Sequence, residues 1–121
     1  LPGASLFLGM PYTECRRMID AGLGVALASD YNPGSSPSGN MRMVMALATT
    51  QMRMTPTEAL HAATLNGAAA MGLSHDFGSI TRGKVANCFI TKPLSSPEFF
   101  TYAYSTPLIQ HIVLRGEVWQ G

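Results

Sequence analysis

Charge is scarce in this sequence. Aspartate, glutamate, lysine and arginine make up 12% of its 121 residues, against about 25% in ordinary soluble domains. An independent domain normally presents a more charged exterior, so much of this surface is expected to be covered. The cations Arg16, Arg17, Arg42, Arg53, Arg82, Lys84, Lys92 and Arg115 are scattered and leave a net charge of +1. That excludes the basic stripe of a nucleic-acid-binding face. Long apolar runs are missing too, although 46% of the chain is hydrophobic. Asp, Arg, Gly, Pro and Ser interrupt each stretch before the ~18 residues of a membrane span. Cysteine is limited to Cys15 and Cys88, which form neither a CxxC pair nor a disulfide framework. Both read as buried thiols suited to a reducing cytoplasm. Leu1 is not an initiator methionine, and LPGASLFLGMPYTE lacks the basic start and long apolar stretch of a secretory signal, so the N-terminus is expected to be a cut one.

What is present reads as α/β grammar followed by β. In YTECRRMIDA, at 12 to 21, Tyr12, Cys15, Met18 and Ile19 fall on one helical face, with Gly22 as a stop. GVALAS, at 24 to 29, is apolar without polar alternation, the pattern of a parallel strand buried on both faces. The segment YNPGSSPSG is too rich in Pro, Gly and Ser to continue either element. NMRMVMALATTQM reads as a helix capped by Asn40, with Met41, Val44, Met45 and Ala48 as its core stripe. TPTE announces another: Thr55 as cap, Pro56 at the first helical position, Glu58 closing a capping box. That helix is expected to run to Thr64 or Leu65, with Asn66 and Gly67 interrupting it and a short turn ending at Gly72. From residue 78, GSITRGK suggests a short strand and turn, VANCFIT a buried strand, SSPEFFTYAYS a short helix capped near Ser96, and IQHIVLRGEVWQ a hairpin around Arg115 and Gly116. The chain is thus expected to divide near residue 75.

Asp30 is the first candidate for chemistry, because an acid directly after a buried parallel strand sits at the carboxyl edge of the sheet, where α/β proteins assemble their sites. The alternative is an Asx turn that only organises the loop. Asn32 offers both donor and acceptor, Pro33 fixes the turn, and Gly34 allows close backbone approach with a free N–H, so the loop could hold a carboxylate or an amide. A plain loop remains the alternative. Ser35 lacks the surroundings of a nucleophile elbow and reads as a hydrogen-bonding contact. GLGVAL lacks the third glycine of a dinucleotide fingerprint and precedes a strand, and RGK at 82 to 84 lacks a phosphate-loop context. His61, His75 and His111 share no ligand spacing and read as structural or solvated.

ASDYNPGSSP, TPTEALHAATLNGAAAMGL and GSITRGKVANCFIT together resemble the C-terminal part of the amidohydrolase superfamily. SDYNPGSSP is specifically similar to the imidazolonepropionase family, which hydrolyses 4-imidazolone-5-propanoate to N-formimino-L-glutamate in histidine degradation. The resemblance implies an α/β fold, the end of a metal-dependent (β/α)8 barrel with following helices over residues 1–75 and part of a small β-rich composite domain over 76–121. A complete barrel needs roughly 250 residues, so the expectation is a fragment, inactive alone. By the same resemblance Asp30 is a zinc or iron ligand and the catalytic residue, Asn32 and Gly34 meet the formimino-glutamate, and Ser35 meets the substrate. The family's histidine ligands have no counterpart here, and Asn87 stands where aspartate is usual. The family carries over a cytoplasmic enzyme with a small-molecule substrate, a homo-oligomer without nucleic-acid or membrane partners. The rivals are another amidohydrolase, cytosine-deaminase-like or dihydroorotase-like, and a non-catalytic interaction module.

Overall fold

The helix that begins at TPTE forms as its first four residues dictate. In the computed structural model, which describes residues 1–120, Thr55 accepts from the Glu58 N–H while the Glu58 carboxylate accepts from the Thr55 N–H at 2.7 Å. Two N–H groups that the first turn would leave orphaned are thereby satisfied. Six helices and three strands follow one another as α1 (Pro2–Leu8), α2 (Cys15–Asp20), α3 (Met41–Gln51), α4 (Pro56–Ala63), α5 (Leu65–Ala70), β1 (Cys88–Thr91), α6 (Phe99–Tyr102), β2 (Ile109–Leu114) and β3 (Glu117–Val118) among the described residues.

The core lies between α3 and α4. Asn40 caps α3 by accepting from the N–H groups of Arg42 and Met43, and the expected stripe is buried at Val44, Met45 and Ala48, with Met41 packed against it. Ala48, Ala59 and Ala62 have no exposed surface. Small side chains at these contacts let the two helices approach closely, while Met45, Met52 and Met54 fill the irregular space around them. Burying each of these larger side chains stabilises the fold by about 1.5–3 kcal/mol.

α2 is tied to this pair by an ion pair. The Arg16 guanidinium meets both Glu58 carboxylate oxygens at 2.9 and 3.0 Å. Arg16, helped by the Thr55 N–H, lowers the Glu58 carboxyl to about 2. Cys15 is fully buried beside it and burial raises its thiol pKa, whereas Cys88 is half-buried; both thiols are free.

Several expectations need correction. GVALAS forms no strand: among the described residues it has no partner strand, and its backbone groups turn to the helices instead. Leu27 N–H donates to the Ala62 carbonyl at 2.9 Å, and the Asn66 amide donates to the Val25 carbonyl at 2.8 Å. Burial alternates, with Val25 and Leu27 buried and Gly24, Ala26 and Ala28 exposed, so one face is covered rather than both. Asn66 and Gly67 do not interrupt a helix. The break falls at Thr64, and both lie inside α5.

GSITRGK forms no strand among the described residues; its turn falls at Arg82 and Gly83, and Ile80 and Thr81 are irregular. Lys84 holds it by donating to the Ser74 and Phe77 carbonyls at 2.7 and 3.0 Å. Gly78, at φ 93°, lies against α5, where a Cβ would come 2.8 Å from that of Ala68. VANCFIT yields only β1, with Phe89 and Ile90 exposed. α6 starts after Glu98 with no side-chain cap from Ser96. The hairpin forms as expected, β2 pairing antiparallel with both β1 and β3 across the turn at Arg115 and Gly116. Asn87 supports that turn by accepting from the Arg115 N–H at 2.8 Å. A carboxylate would accept the same bond, which is why the departure from aspartate leaves the local geometry intact. α1 was not foreseen, since its seven residues contain no polar cap.

The β-rich segment shares the helical core, because Phe100 and Leu108 are buried within it. Arg42 makes this junction: its guanidinium lies 4.8 Å from the Phe100 ring and donates to the carbonyls of Phe100, Ala103 and Thr106. Burial lowers its pKa.

Candidate functional site

Asp30 follows the segment pinned by Ala62 and Asn66 and opens a loop closed on itself between residues 30 and 36. Its backbone is left-handed at φ 52°, a region that asparagine and aspartate tolerate better than most residues. The Asn32 side chain organises the turn. Its carbonyl oxygen accepts from the N–H groups of Gly34 and Ser35, each at 2.9 Å. Its amide donates to the Asp30 carbonyl and, at 3.0 Å, to the Ser35 hydroxyl. The loop ends where Asn32 N–H meets the Ser36 carbonyl at 3.0 Å.

The four predicted site residues are therefore brought together in one loop. Asp30 and Gly34 are exposed, and Asn32 and Ser35 half-buried. The Ser35 hydroxyl reaches the Asp30 carboxylate at 3.4 Å, a long bond that a ligand could displace. Two expectations change. Gly34 does not have a free N–H, because Asn32 has taken it. Asp30 does not end a strand of a sheet, because among the described residues its preceding segment pairs with no strand.

The histidines stand elsewhere: His61 on α4, His75 paired with Asp76 at 2.8 Å in the turn after α5, and His111 on β2. Among the described residues no three of His, Cys, Asp and Glu gather closely enough to hold a metal ion. Zinc sites take three or four protein donors, so the described residues offer one candidate donor, Asp30, and not a complete site.

Sequence reasoning missed Asn66 and Ser36. The Asn66 amide crosses to Val25, and the buried Ser36 hydroxyl donates to the Ser29 carbonyl at 2.7 Å. Asn66 had only the signal of a polar residue beside an apolar run, and Ser36, inside a Pro/Gly/Ser-rich loop, had none.

The amidohydrolase family profile matches residues 4–118. The chain belongs to the amidohydrolase family. Amidohydrolases are generally metal-dependent. Imidazolonepropionases of Flavobacterium johnsoniae, Flavobacterium psychrophilum and Christiangramia forsetii are 56%, 52% and 53% identical to this amidohydrolase chain over 118 residues. The alignments cover 98% of this chain and 29% of each relative, so the chain spans under a third of their length. Among solved structures, E. coli guanine deaminase superposes with a TM-score of 0.78 at 20% identity, over 97% of this chain and 32% of that one. At that identity the likeness concerns the fold alone, and together with the family match it supports an α/β fragment. No helix among the described residues is long and apolar enough to cross a membrane.

Proposed function

We propose that this chain is the Asp30-bearing, C-terminal part of an imidazolonepropionase, a hydrolase that opens 4-imidazolone-5-propanoate to N-formimino-L-glutamate. The observation that carries the reading is the loop at 30–36, which gathers an exposed carboxylate, an exposed glycine backbone and a loosely held hydroxyl within one hydrogen-bonded turn. The names of the relatives point the same way.

In this reading Asp30 is both the catalytic acid–base group and one donor to a zinc or iron ion of the complete enzyme. As a base its carboxylate accepts a proton from the attacking water and returns it to the departing ring nitrogen, so that the C–N bond breaks without expelling an amide anion. Ser35 binds substrate by exchanging its 3.4 Å contact to Asp30 for a substrate oxygen. Asn32 and Gly34 shape the wall that meets the formimino-glutamate. Because the Gly34 N–H is engaged by Asn32, glycine contributes there chiefly by letting the ligand come close to the backbone. The remaining metal donors lie outside the described residues, and the isolated chain is expected to be inert.

Residues 1–75 are assigned to the end of the barrel with its following helices, and 76–121 to the small β-rich domain. The complete enzyme is assigned to the cytoplasm as a homo-oligomer. The full-length protein, supplied separately with 4-imidazolone-5-propanoate, cytosine and dihydroorotate, should consume only the first, with N-formimino-L-glutamate accumulating in equal amount. Turnover of cytosine or dihydroorotate in its place would move the chain to another amidohydrolase activity, and turnover of none would favour a non-catalytic module.

A further inference from the structure

We propose that Ser36, lodged beneath Gly3 of α1, is a positioning residue for Asp30 that acts through the Ser29 carbonyl. The inference rests on the assignment of Asp30 as the chemical group. Ser36 is 2% exposed, so its hydroxyl does not face a ligand in solvent. It donates at 2.7 Å to the carbonyl of Ser29, the oxygen of the peptide whose nitrogen belongs to Asp30. Fixing that oxygen fixes the peptide plane from which the Asp30 backbone departs at φ 52°. A left-handed non-glycine residue persists only where its surroundings over-determine it. Here one side is held by Ser36 on Ser29, and the other by the Asn32 amide on the Asp30 carbonyl.

Gly3 completes the device. It lies inside a helix, where glycine is less stable than alanine, and it is not among the positive-φ glycines, so backbone conformation does not require it. Space does: a Cβ there would stand 2.8 Å from the Ser36 Oγ and 3.6 Å from the Ser29 oxygen. Removing Oγ would leave the second distance, an ordinary contact. The two positions are therefore coupled through one oxygen atom, which lies between Gly3 of α1 and the peptide bond before Asp30.

The test uses the full-length protein with Ser36→Ala, Gly3→Ala and the double variant, and normalises kcat to folded enzyme. Ser36→Ala should lower kcat about tenfold to a hundredfold, the scale of a small misplacement of a reacting group. KM should stay within about twofold, and exchange of the Asn32 amide should accelerate. Gly3→Ala should slow turnover as well, and the double variant should be no slower than Ser36→Ala alone. Ser36→Cys, which replaces the hydroxyl by a larger, weakly donating thiol, should turn over more slowly than wild type. It supplies the readout if Ser36→Ala does not fold, and wild-type kcat in it would then overturn the proposal. A lower Tm with unchanged kcat per folded Ser36→Ala molecule would make the role structural only and overturn the proposal. So would independent, multiplicative losses in the double variant. If Asp30→Asn is inactive while Ser36→Ala is normal, the positioning role fails and the proposed function stands. If both turn over normally, the assignment of Asp30 fails first.

Discussion

The α3–α4 pair and the stretch from Gly24 to Ser36 meet their needs in opposite ways. The helices bring their own caps and contribute their own stripes to the core, so what starts and orients them lies within residues 40–63, while α2 and the Phe100 and Leu108 side chains pack on from outside. The other stretch satisfies its polar groups by turning inward at the loop and borrowing Ala62 and Asn66, and it leaves one apolar face open. The β-rich segment shares that openness, with Ile80 at 91% and Trp119 at 57% exposure. Stability is therefore expected to reside in the helices and chemistry in the loop, and each substitution below should move one property without the other.

The largest effect should come from Asp30→Asn in the full-length enzyme. Removing the proton-accepting oxygen and one metal donor should lower kcat about 10²–10⁴-fold, with the Tm of the metal-free protein unchanged because the side chain is exposed. Met45→Ala should do the reverse. A cavity beneath fully buried alanines costs about 2–5 kcal/mol, read by denaturant unfolding, with turnover per folded molecule preserved. Ser35→Ala removes one substrate hydrogen bond worth about 1–3 kcal/mol. If that bond is equally strong in ground and transition states, KM rises and kcat does not, which steady-state kinetics will show. Thr55→Ala should cost about 1 kcal/mol through the lost cap, measured as a lower denaturation midpoint.

The smallest effect concerns pH. The Glu58 carboxyl lies lower when folded, at about 2, than its ordinary 4.5. Its contribution is complete above about 4.5 and disappears as pH falls towards about 2. Because Arg16 and Glu58 are each about a third exposed, solvent screening keeps that contribution modest. The Tm difference between wild type and Glu58→Gln should therefore shrink steadily across that window, and a difference that grew with acid would break the assignment.

The same contrast explains what the sequence disclosed. Caps and stripes are local, so Asn40, Thr55, Glu58 and the Val44–Met45–Ala48 face were legible before any fold was known. Strand formation is a pairwise property. GVALAS carries the composition of a buried strand, but a ladder also needs a neighbour, and here its groups found α4 and the first turn of α5. β1 is likewise shorter than its apolar run because pairing with β2 covers only Cys88–Thr91. At the loop, residue types announced a binding turn but not how its bonds are distributed. Asn32 can donate and accept, and only the closed geometry shows both capacities spent internally, including on the N–H of Gly34. Ser36 was invisible for a related reason: its importance depends on Gly3, which lies 33 positions earlier in the chain.

The most direct test pairs Asp30→Asn with Met45→Ala in the same full-length background, assayed on 4-imidazolone-5-propanoate with rates normalised to folded protein. The account predicts an enzyme that is stable but nearly inactive in the first case, and one that is destabilised but turns over normally per folded molecule in the second. Near-normal ring opening by Asp30→Asn would contradict it.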